Sequence, residues 1–242
     1  MVSTRSSSRA DSPPRSPSPP PPPPSRSTLS SSSRDTTATA TTSRTRGTFR
    51  HAPTPWTLLW LGVSLPLVIW DTGYVLGRPH TMEGGLAHWP LWSPYKLYGE
   101  VDHVYGWKAV REGTGFTAAQ GLLNVVETAM YAVYLWLWRA RGETTTMTPG
   151  GGGRRVVSGR AGALAVVVGF SAAVMTLSKT ILYLCNEYFS GFANIGHNDF
   201  LTVLFLWIIP NGAWLVGPTY MIVSMGTEIV DNLGGTAHAK NE

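Results

Sequence analysis

Apolar residues collect into four long stretches, each interrupted by only a few polar positions. They run from Trp56 to Leu76, Phe116 to Trp138, Ala161 to Tyr188 and Phe200 to Met225. Each reaches the roughly 20 residues needed to cross about 30 Å of hydrocarbon. The pattern predicts an all-α membrane protein, a bundle of four transmembrane helices. A soluble helical core is the plainer alternative. Against it stand the lengths, the aromatic residues at stretch ends (Trp56, Trp136, Trp138, Tyr188), and the lack of the charged faces that soluble surface helices carry.

The polar interruptions are the informative positions. Asp71 is the only charge of the first stretch, Gln120, Asn124 and Glu127 break the second, Lys179 sits in the third, and Asn211 follows Pro210 in the fourth. Charged groups at that depth cost several kcal/mol unless paired or hydrated, so they mark a functional site by default. At about 1.5 Å per residue, Asp71 lies about 9 Å from one membrane face, Lys179 and Asn124 about 12 Å, Glu127 and Asn211 about 17 Å. All four helices therefore bring a polar group to a similar layer, as a cavity open toward one leaflet requires.

Spacing gives each helix one inward face. Asn124, Glu127 and Tyr131 follow at three and four residues; Thr176, Lys179, Thr180, Tyr183 and Glu187 form a stripe; Asn211 and Trp214 are three apart. Tyr and Trp supply an apolar wall with a hydrogen-bonding edge, suited to a flat hydrophobic ligand with one polar end. Pro210 removes a backbone donor and predicts a kink beside Asn211. Two other roles stay open: Asn124 as an interhelical hydrogen bond alone, and the acids with Lys179 as a buried stability pair.

Composition divides the 242 residues further. Residues 1–52 hold Pro, Ser, Thr and Arg, with a run from Pro19 to Pro24 and eight Arg against two Asp. Such a segment buries too little to offset its ordering entropy and is expected to be a disordered cytoplasmic tail. The chain's net charge of +5 thus resides in the tail. Without interleaved aromatics or a following motif, no nucleic-acid partner is expected; anionic headgroups suit a basic tail better. The Arg- and Ser-rich start also has the composition of a transit peptide, but the proline run opposes the amphipathic helix such a signal needs. The transmembrane domain is expected over 53–226, with a short cytoplasmic tail over 227–242.

Arg and Lys also orient the bundle. Arg139, Arg141, Arg154, Arg155 and Arg160 lie between the second and third stretches, whereas Ser190 to Asp199 has no basic residue, and the loop Gly77 to Gly115 balances its cations with acids. The positive-inside rule places both termini in the cytoplasm and the first and third connections on the lumenal side. The segment Gly142 to Gly159, with Gly150 to Gly153 inside it, reads as a flexible linker. The run Trp89 to Tyr95 reads as an interfacial cap over the pocket.

The single cysteine, Cys185, excludes an intrachain disulfide. His80, His88, Asp102, His103, His197 and Asp199 lack ligand spacing, so they read as solvated loop residues and no metal is expected. No cofactor is implied. A transporter would need more spans or an inverted repeat. A homodimer remains open.

The segments Trp70-Asp71-Thr72-Gly73-Tyr74, Tyr95 to Tyr105, Asn124-Val125-Val126-Glu127-Thr128, Leu182-Tyr183 with Glu187, and Pro210-Asn211-Gly212-Ala213-Trp214-Leu215-Val216 with Pro218 together resemble the emopamil-binding protein family. This is the EXPERA domain of sterol Δ8-Δ7 isomerases and the sigma-2 receptor. The resemblance runs in order from about Trp56 to Met225. It implies a membrane fold of the endoplasmic reticulum with a pocket for sterols and cationic amphiphilic amines. It also implies that Asp71 and Glu127 stand at the isomerases' two acids, that Asn211 and Trp214 polarise and wall the site, and that Glu187 matches an acid ending the third helix. The isomerases add a His one turn before the first acid; here that position is Leu67. Lys179 stands where they carry a small residue. The pattern is closer to the sigma-2 receptor, so the resemblance implies a sterol- or lipid-binding or trafficking protein, with an isomerase using Asp71 and Glu127 as catalytic groups as the alternative. The expected ligand-binding set is Asp71, Asn124, Glu127, Lys179, Tyr183, Glu187, Asn211 and Trp214.

Overall fold

The computed structural model describes residues 48–145 and 153–234. The disorder expected of the N-terminal segment lies outside these residues up to position 47. Residues 48–52, assigned above to the tail, instead belong to the fold, with Arg50–His51 a strand and His51 buried. Strand β1 (Arg50–His51) leads into helix α1 (Pro55–Gly77), whose first turn is closed by Thr54 accepting from the Thr57 N–H at 3.1 Å. Short helices α2 (Pro94–Val101) and α3 (Trp107–Arg111) interrupt the loop before α4 (Phe116–Arg141). Strands β2 (Gly142–Thr145) and β3 (Arg154–Ser158) follow, then α5 (Gly159–Phe189). The last rod is α6 (Phe200–Val203), a π-helical turn Leu204–Ile208, and α7 (Ile209–Gly234).

Two further expectations are corrected. The stretch Gly142 to Gly159 is not a linker throughout: its ends are β2 and β3, paired antiparallel, with β1 on the other edge of β3. The pairing of Arg50 with Ser158 joins residues far apart in sequence, so no local periodicity announces it. The C-terminal helix also continues past residue 226 to Gly234. Its extension is anchored by Glu228, which sits 2.9 Å from His51 Nδ1, while His51 Nε2 meets the Tyr134 hydroxyl at 3.0 Å. Residues 235–242 lie outside the described part.

Among the described residues, three helical rods are long and apolar enough to cross a membrane: α1, α5 and the rod Phe200–Gly234, with mean hydropathies of 1.4, 1.9 and 1.8. Helix α4 is not among them, because Gln120, Asn124, Glu127, Arg139 and Arg141 dilute its apolar content. Its faces are nonetheless sorted: Gly121, Asn124, Glu127, Tyr131, Tyr134 and Leu137 are buried, whereas Leu122, Val126 and Val133 are exposed. That inverts the polarity of a soluble bundle helix.

The rods form an open arc in the order α1, α4, α5, α7, with little contact between its two ends. Small residues on α5 let both neighbours approach. A Cβ at Gly169 would meet the Tyr134 ring at 2.9 Å and Met225 at 3.1 Å. Leu61, Tyr131, Tyr134, Val166, Met221 and Met225 fill the core at the sheet end. A second core of Tyr74, Val75, Met82 and Tyr95 packs where the loop 78–115 folds back. At the arc's gap the Trp60 ring lies against Gly217 and 5.4 Å, edge-on, from Trp214.

Candidate functional site

Each rod contributes polar side chains to one cavity of about 490 Å³. Helix α1 supplies Leu67, Trp70 and Asp71; α4 supplies Gln120 and Asn124; α5 supplies Lys179, Thr180 and Tyr183; the last rod supplies Leu206, Asn211 and Trp214. Tyr95, Tyr98 and Tyr105 enter from the loop 78–115. The volume falls within the range of small-molecule sites, as does a mostly apolar wall with few polar groups.

Those polar groups form one chain of contacts. The Tyr95 hydroxyl donates to Asp71 Oδ1 at 2.7 Å, and Asn124 Nδ2 faces Asp71 Oδ2 at 3.4 Å. Asn124 Oδ1 in turn accepts from Lys179, whose ammonium donates to Glu127 Oε2 at 2.8 Å. Lys179 therefore has Glu127 as its ion-pair partner, whereas the groups hydrogen-bonded to Asp71 are neutral. The Asn124 amide is fixed by this order, carbonyl to the cation and NH₂ to the carboxylate. Gln120 Nε2 donates to the Lys179 backbone carbonyl at 3.1 Å, and its Oε1 has no partner.

Six of the eight predicted ligand-binding residues line the cavity: Asp71, Asn124, Lys179, Tyr183, Asn211 and Trp214. Two do not. Glu127 is buried one turn from Asn124, behind the Lys179 ammonium, and is not part of the wall. Glu187 instead holds the loop 190–199, accepting from Asn194 N at 2.9 Å, Asn194 Nδ2 at 2.8 Å and Ile195 N at 3.2 Å. The π-helical turn accounts for Asn211. Pro210 cannot donate to the preceding turn, so the ladder widens before it, and Asn211 Nδ2 caps the Trp207 carbonyl at 2.8 Å.

The loop 78–115, whose run Trp89 to Tyr95 was expected to cap the pocket, supplies further residues to the site. Trp70 Nε1 donates to the Leu91 carbonyl at 3.0 Å and Trp92 Nε1 returns to the Trp70 carbonyl at 3.2 Å, clamping the loop on α1. Tyr95 stacks on Tyr74 at 3.8 Å. Burial and the nearby Asp71 push the Tyr95 hydroxyl up, so it stays a donor. Asp102, expected to be a solvated loop residue, is 1% exposed. It accepts from the Tyr183 hydroxyl, from Trp207 Nε1 at 3.1 Å and from Val104 N at 3.1 Å. Burial raises its carboxyl to about 7, against the lowering effect of the Val104 and Trp207 donors. His103 and His197 stack in parallel at 4.0 Å, and burial, with the neighbouring His197 and Lys108, holds His103 below its ordinary value. Among the described residues, no group of three or more His, Cys, Asp or Glu converges as a metal site.

Comparison with protein-family models, with curated proteins and with solved structures returns no match. The functional reading therefore rests on the residues and their geometry.

Proposed function

We propose that the chain is a four-span membrane protein whose cavity binds a sterol-like or cationic amphiphilic molecule. Its role would be binding or trafficking of sterol or a related lipid in the endoplasmic reticulum, with both termini cytoplasmic. The fourth span is α4, whose inward polar face and outward Leu122, Val126 and Val133 suit a helix between cavity and lipid.

One observation carries the ligand class. The cation present in the cavity, Lys179, is engaged by Glu127, while Asp71 faces the cavity with only neutral donors. With all three groups ionised the cluster itself holds a surplus negative charge, offset among the described residues only by Arg78 from outside the cavity wall, and a ligand cation would neutralise it in a low-dielectric site. Trp70, Trp214 and the loop tyrosines provide faces for an apolar body and for cation–π contact. The alternative, a sterol Δ8-Δ7 isomerase, has less support. Leu67 occupies the wall where a His would be needed, and Glu127 lies behind an ammonium that opposes a carbocation.

The test is photolabelling of the purified full chain with a diazirine sterol, with and without a competing cationic amphiphilic amine. Labelled peptides from α1, α5 and α7 that the amine protects are expected. Labelling that the amine leaves unchanged, in a chain that resists alkaline extraction from membranes, would contradict the reading.

A further inference from the structure

The two ends of the bundle differ in charge. At the sheet end, where α1 and α5 begin and α4 stops, stand Arg50, Arg139, Arg141, Arg154, Arg155 and Arg160, against Glu143, Glu228 and Asp231. Glu228 already faces His51. None of the six arginines forms a salt bridge with a carboxylate among the described residues. At the opposite end, Lys96 is paired with Glu83, and Lys108 reaches the Ala193 carbonyl.

Local structure explains part of this set. Arg155 donates to the Arg139 carbonyl at 2.6 Å, satisfying an orphan acceptor at the α4 terminus, and its buried Nε has no partner. Arg154 straps the entry to α1 through the Ala52 carbonyl at 3.0 Å. Arg139 and Arg141 complement the α4 dipole. Arg50, on the edge strand, and Arg160, in the first turn of α5, have no such role. A cation in a first turn is opposed by the helix dipole. The strand pairing joins Arg50, Arg154 and Arg155 in one sheet, and the adjoining ends of α4 and α5 set Arg139, Arg141 and Arg160 beside it in a collar at the end where Trp136 is exposed.

We propose that this collar docks anionic phospholipid headgroups of the leaflet it faces. A planar guanidinium presents donors in a fork that matches phosphate, and several on one sheet at the helix ends meet a headgroup layer without bending the chain. The inference rests on the membrane-spanning reading above. It is separate from the cavity, since none of these arginines lines it.

The experiment reconstitutes the full chain into vesicles of equal phosphatidylcholine and phosphatidylserine, then reads the lipids retained by native mass spectrometry. The collar variant R139Q/R141Q/R160Q removes exposed side chains that hold no side-chain hydrogen bond among the described residues. A second variant carries glutamine at the seven arginines of residues 1–47 and keeps the collar. Each arginine near an anionic surface is worth about fivefold in affinity. The wild type and the tail variant are expected to retain phosphatidylserine severalfold over phosphatidylcholine, and the collar variant, which keeps Arg50, Arg154 and Arg155, to lose most of that preference. An unchanged preference in the collar variant would overturn the proposal. Displacement of phosphatidylserine by millimolar inorganic phosphate would assign the collar to a soluble anion and overturn it as well. If the chain washes off vesicles in alkaline carbonate, the membrane reading itself fails, a result distinct from loss of lipid preference.

Discussion

Lys179 Nζ lies 2.8 Å from Glu127 Oε2, with the two side chains 11% and 3% exposed. This pair decides how much charge the cavity offers. A buried pair gains little over apolar packing, but removing one partner strands the other at a cost of about 3–5 kcal/mol. Glu127→Gln is therefore expected to lower thermal stability sharply. The double variant Glu127→Gln/Lys179→Met should recover much of the loss, measured as a coupling in a double-mutant cycle. Independent, additive effects would mean that the pair does not act as a unit.

Asp71 behaves differently, because its hydrogen-bond partners are neutral. Asp71→Asn keeps an acceptor for the Tyr95 hydroxyl, so stability should change by no more than about 1–2 kcal/mol. Tyr95→Phe should cost a similar amount and loosen the cavity wall. Melting temperatures of the two variants check this, and a collapse comparable to that of Glu127→Gln would show Asp71 to be a structural partner of Lys179.

Glu187 gives the opposite dissociation. Its carboxylate satisfies two backbone N–H groups and the Asn194 amide, so Glu187→Ala should destabilise the loop 190–199 by about 1–3 kcal/mol. Ligand affinity should stay within twofold of wild type at a temperature where the variant is folded. A selective loss of binding with unchanged stability would return Glu187 to the site.

Much of the cavity was legible because polar residues in an apolar stretch are costly. Asp71, Asn124, Lys179 and Asn211 stood out for that reason, and helical spacing turned Tyr183 and Trp214 to the same side. Periodicity gives a face but not a depth. Glu127 and Glu187 share faces with cavity residues yet sit one turn beyond the wall, one behind Lys179 and the other against a folded-back loop. The run Trp89 to Tyr95 suggested a cap, but which tyrosines reach the cavity (Tyr95, Tyr98 and Tyr105) and the burial of Asp102 depend on how residues 78–115 return over the bundle. Such long-range packing has no repeat to read. The sheet was hidden likewise: glycines beside β3 imitate a linker, while β1 is two residues long and finds its partner a hundred positions away.

Asp102 makes stability depend on pH. Its carboxyl is raised from 3.8 to about 7, so between those values the folded state holds more protons than the unfolded state. Stability from this group is therefore greatest at acid pH and falls as pH rises through about 7, by up to a few kcal/mol. His103 acts with the opposite sign below its unperturbed 6.5, losing stability as pH falls. The difference between wild type and Asp102→Asn isolates the first effect. Melting curves from pH 5 to pH 8 should show a larger fall for wild type, and parallel curves would contradict the assignment.

Gly217 allows one close contact across the arc's gap, since a Cβ there would run into the Trp60 ring. Gly217→Val should force Trp60 away from Trp214, cost about 1–3 kcal/mol by overpacking, and change ligand dissociation more than association. A variant with wild-type stability and kinetics would show that the contact is slack.

Whether Asp71 is the counter-ion of a bound cation is read most directly from equilibrium binding of a radiolabelled cationic amphiphilic amine to the purified full chain, compared with Asp71→Asn. Saturable binding weakened at least tenfold in the variant is expected, with the weakening disappearing for an uncharged analogue of the same shape. Equal affinity of wild type and variant for the amine would contradict the account, because Asp71 would then not be the counter-ion.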